Sequence, residues 1–330
     1  MIECTNDQLL TLAIGALGLG MYLLLKGGNW TIDAAVFVAK RLGVSPLIIG
    51  FTIVAFGTSL PELFVSVDAN LEGSPGIAIG NVIGSNIANI LFVLGITALF
   101  ATLTVVPRAV LRDIVMMMLA TLLLMGLMLH GGVDRFAGFA MIVTLILYVF
   151  WQYTIARAEK HVDDDMEDPQ FSSLLPATAY LLGGLVMVTL GSEFLVSGAK
   201  VTATIIGVPE DVIGLSVIAL GTSLPELTTC IIAAKKRHGD IVIGNIVGSN
   251  VFNILMIIGI TAAVKPLSQE SISQQIVSLD IWVMFATALA LTLFLLLFKK
   301  ITRPIGYAFC ALYVLYIGVM YGLHLSKGVL

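Results

Sequence analysis

The segment AFGTSLPEL at Ala55 to Leu63 returns as ALGTSLPEL at Ala219 to Leu227, and GNVIGSNIANIL at Gly80 to Leu91 returns as GNIVGSNVFNIL at Gly244 to Leu255. Both pairs are offset by 164 residues, as is the GITA that begins at Gly95 and again at Gly259. From Ala55 to Leu91, 19 of 37 positions match their counterparts without a gap, which marks an internal duplication. The rest of the chain shows what kind of structure has been duplicated.

The setting is a membrane. Of 330 residues, 58% are hydrophobic and 12% charged, with a mean hydropathy of +1.03, against about 45 to 50% apolar and about 25% charged in a soluble domain. The net charge of −4 argues against a nucleic-acid binder. Cys4, Cys230 and Cys310 show no metal or redox spacing. The segment Met1 to Gln8 lacks a basic start, so no cleaved signal peptide is expected.

At about 20 residues per span, the chain is filled by ten transmembrane helices. Hydropathy and chain breaks place them near Leu9 to Ala39, Pro46 to Asn70, Pro75 to Thr104, Val110 to His130, Phe136 to Arg157, Leu174 to Ile205, Val212 to Ala234, Ile241 to Val264, Ile276 to Phe298 and Pro304 to Leu323. The first and sixth are long and carry Lys26, Asn29 and Glu193 near their middles, which predicts steep tilt or packing against protein. An acidic stretch from His161 to Ser173 is read as a solvated linker. It separates a first half, residues 1–160, from a second, residues 174–330, each with five spans. An odd number of spans per copy turns the second copy upside down, the architecture of secondary transporters whose substrate site lies at the midplane where broken helices meet.

Placing Lys and Arg on alternate sides puts twelve on one side, among them Lys40, Arg41, Arg108, Lys235, Lys236 and Lys299, and four on the other: Arg135, Lys200, Lys265 and Lys327. The positive-inside rule makes the richer side cytoplasmic and both termini external. The location expected is a bacterial cytoplasmic (inner) membrane, with the lipid bilayer as partner and neither nucleic acid nor an obligatory protein partner.

Within GTSLPE, Gly57 and Pro61, like Gly221 and Pro225, weaken a helix at depth and free a carbonyl one turn earlier. Thr58 and Glu62, Ser85 and Asn89, Thr222 and Glu226, and Ser249 and Asn253 each stand four residues apart and are expected to share a helix face. Four such faces make a cage of oxygens. An ionised Glu at the bilayer centre costs about 2.5 to 3.5 kcal/mol or more, and two without a counter-charge would take up protons. A bound cation removes that cost. No Lys or Arg lies within either motif, and the further donors are the hydroxyls of Ser59 and Ser223, the side-chain amides and backbone carbonyls. Hard oxygen donors in this number suit Ca2+ and Na+. Asn81, Asn86, Asn245 and Asn250 lie off these faces and are assigned to the surrounding layer. Asp68, Asp113, Asp240 and Asp280 lie toward span ends and are read as vestibule or loop residues, the four histidines as interfacial, and Met116 to Met118 as lipid-facing or packing surface.

Paired GTSLPE and GNxxGSNxxN segments in inverted halves resemble the alpha-repeats of the cation/calcium exchanger superfamily, in particular prokaryotic sodium/calcium exchangers with ten helices. The motif-level likeness covers Gly43 to Ala98 and Gly207 to Ala262. The resemblance implies that Glu62 and Glu226, with Thr58 and Thr222, bind Ca2+. It implies further that the carbonyls of Ala55 and Ala219 and the side chains of Thr58, Ser59, Ser85, Asn89, Thr222, Ser223, Ser249 and Asn253 complete Na+ sites shared with the two carboxylates. It also implies alternating access, with the first and sixth helices sliding across an eight-helix core. One departure is informative: many members carry Asp at the position of Asn253, so this pocket has two carboxylates where those have three. The expectation is a Na+/Ca2+ antiporter that extrudes Ca2+, with no cofactor and no enzymatic activity. A proton-coupled antiporter, a cation channel and a structural scaffold are the rival readings.

Overall fold

The structure, a computed structural model, describes residues 6–104, 106–159, 171–205, 221–268 and 273–328. It is almost wholly helical. In order come α1 (Asn6–Leu42), α2 (Pro46–Thr58), α3 (Leu60–Leu71), α4 (Pro75–Phe100), β1 (Leu103–Thr104), α5 (Pro107–Leu129), β2 (Gly132–Val133) and α6 (Arg135–Glu159). Then follow α7 (Leu174–Ile205), α8 (Leu224–Lys235), α9 (Gly239–Val264), β3 (Leu267–Ser268), α10 (Ile276–Phe298), β4 (Lys300–Ile301) and α11 (Arg303–Gly328). Proline opens α2, α3, α4, α5 and α8, where its missing N–H costs no helical hydrogen bond.

Among the described residues, eight helices are long and apolar enough to cross a bilayer, and the bent pair α2 and α3 makes a ninth. The protein is a multi-pass membrane protein. Helix α8 covers the second part of the expected span Val212 to Ala234; its first part lies outside the described residues, as do Ala219 and most of the acidic linker.

Burial orders the helices into layers. Every residue of α9 from Ile241 to Phe252 is buried, as is most of α4, so these two occupy the centre. Both α5 and α10 pack around them, α6 against the end of α9, and α11 against the end of α4. The 37-residue α1 and the 32-residue α7 run along each other as a separate pair. Their contact depends on glycine: a Cβ at Gly184 would lie 2.6 Å from Thr31 Oγ1 and 2.7 Å from the Gly27 carbonyl oxygen. The expected packing against protein thus holds for the two long helices, but Lys26 and Glu193 themselves are exposed, so their depth in the sequence does not bury them.

Two short antiparallel ladders tie the loops. β1 pairs with β4, placing Leu103 opposite Ile301, and β2 pairs with β3, placing Val133 opposite Leu267. Each ladder joins two loops that the alternation of Lys and Arg had assigned to the same side. Asn70 strengthens the second cluster, donating to the carbonyls of Thr261 at 3.2 Å and Lys265 at 2.7 Å.

One expectation is corrected. Asp113 is not a vestibule residue: it is 2% exposed and accepts a hydrogen bond from the Tyr148 hydroxyl, whereas Asp280, 4% exposed and bonded by the Tyr316 hydroxyl, stands in the wall of a cavity. Of the two readings given for the Met cluster, packing holds for Met116 and Met117, which are buried.

Candidate cation site

The local geometry begins with the serine before each proline. Ser59 (φ −87°, ψ 2°) and Ser223 (φ −87°, ψ 1°) leave the helical region in the same way, each acting as N-cap of a 12-residue helix with Pro in its first turn. In the first copy the axes of α2 and α3 differ by 42°. The consequence is electrostatic. Glu62 and Glu226 fall in the first turns of α3 and α8, where unpaired N–H groups and the helix dipole favour negative charge.

A second break follows in the GSN segments. At Asn89–Val93 in α4 and Asn253–Ile258 in α9, the helix widens into a π turn that starts at the last Asn of the motif. Such turns leave the regular hydrogen-bond ladder locally disturbed, often at functional positions. The turn of Asn89 packs on α8, which carries Glu226, and the turn of Asn253 packs on α3, which carries Glu62. Each carboxylate helix therefore packs on the π turn that begins at the other copy's asparagine.

Glu62 and Glu226 are each 1% exposed, and the charge of one acts on the other. Ser59 donates to Glu226 Oε1 at 3.4 Å, and the hydroxyls of Thr222 and Thr58 favour the charge of Glu62 and of Glu226 respectively. The contact crosses between the copies, from Ser59 of the first repeat to Glu226 of the second. The Thr58 hydroxyl is also within 3.4 Å of the Ala55 carbonyl and of Asn245 Oδ1.

Ten buried side-chain oxygens among the described residues have no hydrogen-bond partner; those of Asn70, Asn86, Gln152 and Thr261 lie outside the expected ligand set, and the other six belong to it. Glu62 Oε2, Glu226 Oε2, Asn89 Oδ1, Asn253 Oδ1, Ser223 Oγ and Ser249 Oγ are buried without a hydrogen-bond partner. Each unmet buried acceptor costs about 1 to 3 kcal/mol, and all six atoms are oxygens from the duplicated motifs. Among the described residues, Lys236 with Asp33 is an ion pair, at 2.6 Å, but neither Glu62 nor Glu226 has a Lys or Arg partner. Nor do three His, Cys, Asp or Glu side chains converge among the described residues, so the charge available is that of two carboxylates. An oxygen-rich, acceptor-heavy, doubly anionic site is matched by a hard cation.

The asparagines assigned to the surrounding layer divide in two. Asn81 donates to the Glu62 carbonyl at 3.2 Å and to Ser66 Oγ at 3.0 Å, and Asn245 donates to Thr229 Oγ1 at 3.4 Å and Cys230 Sγ at 3.3 Å. These two brace α3 and α8. Asn86 instead reaches Met284 Sδ at 3.7 Å, and Asn250 bonds the Ile246 carbonyl of its own helix at 2.7 Å. Ser66 and Cys230 were overlooked in the sequence although a signal exists: they correspond at the 164-residue offset and follow Glu62 and Glu226 by one helical turn. Ser85 is buried at the same level of α4 as Asn86.

A family model described as sodium/calcium exchanger protein matches residues 12–154 and again 176–322. Inner membrane protein YrbG of Escherichia coli (strain K12) is 35% identical over 262 residues, covering 77% of this chain and 81% of that protein. Sodium/calcium exchanger MaX1 of Methanosarcina acetivorans is 29% identical over 349 residues, covering 92% of this chain and 97% of that one. Among solved structures, the sodium-calcium exchanger NCX_Mj soaked with 10 mM Na+ and 10 mM Sr2+ superposes with a TM-score of 0.80 at 32% identity, over 94% of this chain and 98% of that one.

Proposed function

The chain belongs to the sodium/calcium exchanger protein family, and from that membership we propose that it exchanges Na+ for Ca2+ by alternating access, normally using the inward Na+ gradient to extrude Ca2+. The observation that carries the reading is the pair Glu62 and Glu226, buried, unpaired with any basic group among the described residues, and each left with one unpartnered oxygen. Ca2+ sits between the two carboxylates with Thr58 and Thr222. Na+ uses the same carboxylates together with Ser59, Ser85, Asn89, Ser223, Ser249 and Asn253 and the carbonyls of Ala55 and Ala219, of which Ala219 lies outside the described residues. Asn81, Asn86, Asn245 and Asn250 form the layer behind them.

Exclusivity follows from charge. Two carboxylates neutralise one Ca2+ or two Na+, so either load removes the electrostatic reason for binding the other. With Asn at both 89 and 253, a third Na+ would leave the pocket at +1.

The architecture proposed is ten helices in two inverted five-helix halves, residues 1–160 and 174–330, joined by a cytoplasmic linker at 161–173. The ladders support it. β1 and β3 follow the third and eighth spans, β2 and β4 the fourth and ninth, and each ladder joins one strand of each kind from opposite halves. A two-fold relation between the halves exchanges one ladder with the other. The doubled family match, one copy per half, points the same way. Both termini lie on the outer side of the cytoplasmic membrane in this scheme.

The test is uptake of radioactive Ca2+ into proteoliposomes preloaded with Na+, against vesicles preloaded with K+ or given a pH gradient without Na+. Uptake that requires Na+ is the expected result. Uptake driven by the pH gradient alone would move the same two carboxylates to proton-coupled transport, and flux far above a carrier cycle would indicate a channel.

A further inference from the structure

Asp113 and Asp280 are buried carboxylates that the ion site does not use. The first accepts a hydrogen bond from the Tyr148 hydroxyl at 2.7 Å and another from the Gln152 side-chain amide, which itself donates to the Tyr148 hydroxyl at 3.1 Å. The second accepts one from the Tyr316 hydroxyl at 3.3 Å. In sequence the partner tyrosine follows its aspartate by 35 residues in one case and 36 in the other. Each bond joins neighbouring helices, α5 to α6 and α10 to α11, so the duplication has preserved an Asp–Tyr clamp in both halves.

A clamp serving only to hold two apolar helices together would not need a buried carboxylate, which is costly to desolvate. What it holds is more specific. The Tyr148 ring meets the Phe51 ring edge-on at 5.7 Å. Phe51 is fully buried in the π turn Gly50–Val54 of α2, and that turn is the surface on which α9 rests. The fit is close: a Cβ at Gly248 would lie 2.7 Å from the Phe51 Cα and 2.9 Å from the Ala55 Cβ. Ser249 is the next residue of α9, and Ala55 and Thr58 are the next turn of α2. Asp113, Tyr148, Phe51 and Gly248 therefore form an unbroken line of contact from the outer helices to the place where Gly248, the neighbour of Ser249, meets Ala55.

We propose that Asp113 and Tyr148 are positioning residues for Na+, holding the α2 turn at Phe51 against α9 so that the Ala55 carbonyl and the Ser249 hydroxyl keep the spacing one Na+ site requires. The proposal rests on the exchange reading above. Ca2+, held mainly by Glu62 and Glu226 on α3 and α8 with Thr58 as its one ligand on α2, depends on this line far less. Asp280 and Tyr316 hold the corresponding place beside α4, where they line a cavity of about 350 Å3 together with Asn81 and Ser85.

The experiment measures two fluxes in the same proteoliposomes: Na+-driven Ca2+ uptake as a function of Na+, and Ca2+/Ca2+ self-exchange, which needs no Na+. Tyr148→Phe keeps the ring on Phe51 and removes only its anchor; Asp113→Leu removes the acceptor; Asp113→Asn restores an acceptor oxygen. Tyr148→Phe and Asp113→Leu are expected to raise the half-saturating Na+ concentration about three- to tenfold, the equivalent of one hydrogen bond. Self-exchange should stay within about twofold of wild type, and Asp113→Asn should recover most of the Na+ affinity. An unchanged Na+ dependence in Tyr148→Phe overturns the proposal, as does a parallel loss of both fluxes, which a merely structural clamp predicts. If Asp113→Leu does not fold, Tyr148→Phe, which adds no atom and strands no charge, decides alone. Wild-type protein with self-exchange but no Na+-driven uptake would refute the exchange reading, and this inference with it.

Discussion

Glu226→Gln keeps the volume of the side chain and an acceptor oxygen for Ser59 and Thr58, and removes one unit of charge from a pocket that holds two. Ca2+ would then face a single negative charge and leave a buried site at +1. At an effective dielectric constant of about 20, two unit charges about 4 Å apart interact by about 4 kcal/mol, and a divalent ion doubles that. The amide dipole of Gln returns part of the loss. A net penalty of about 4 kcal/mol corresponds to roughly a thousandfold weaker Ca2+ binding, enough to abolish transport at micromolar Ca2+. Two assays read this. Radioactive Ca2+ uptake in Na+-loaded proteoliposomes should fall to background, and Ca2+ should no longer raise the thermal midpoint of the detergent-solubilised protein, as it does for wild type through preferential binding to the folded state. The midpoint without ions should be no lower than that of wild type, because the substitution also removes repulsion between Glu62 and Glu226. Ca2+ uptake above a tenth of wild type, or an undiminished Ca2+-dependent rise in midpoint, would refute the assignment of these carboxylates.

Further predictions follow from particular contacts. Gly184→Ala drives a methyl group into Thr31 and the Gly27 backbone, an overpacking of about 1 to 3 kcal/mol, so the thermal midpoint should drop while Gly183→Ala, with only ordinary contacts to Trp30, leaves it unchanged. Cysteines replacing Thr104 and Lys300 face each other in the first ladder and should crosslink on mild oxidation in a background lacking Cys4 and Cys310; failure to do so would break the proposed packing of the halves. In intact cells an impermeant thiol reagent should label a cysteine at Ser268 and spare one at Thr104, and the reverse pattern would invert the orientation. Asn253→Asp adds a third carboxylate to the pocket and should steepen the Na+ dependence of uptake; an unchanged steepness would place Asn253 outside the Na+ sites.

Much of this protein was legible in its sequence because the membrane makes the code simple. Without water in the hydrocarbon layer, a run of about 20 apolar residues has to be a helix, and any polar residue inside it needs a partner or a purpose. Glu62 and Glu226 stood out on that ground, and the 164-residue repeat showed that they form a pair. Periodicity could say which residues share a turn of one helix, but not which helices meet. The crossing of Ser59 to Glu226, the packing of the Asn89 turn on α8, and the seating of Gly248 on Phe51 are contacts between segments far apart in the chain, decided by how the two halves interlock. Asp113 shows the limit most clearly. By position it read as a residue near the end of a span and close to water, yet the helix that carries Tyr148 and Gln152 closes over it. Composition and repeat determined that this chain spans a membrane and gathers oxygen around two carboxylates. Only the tertiary structure decided which oxygens face which, because a side chain's partner depends on the neighbouring helix, and a helix does not encode its neighbours in its own period.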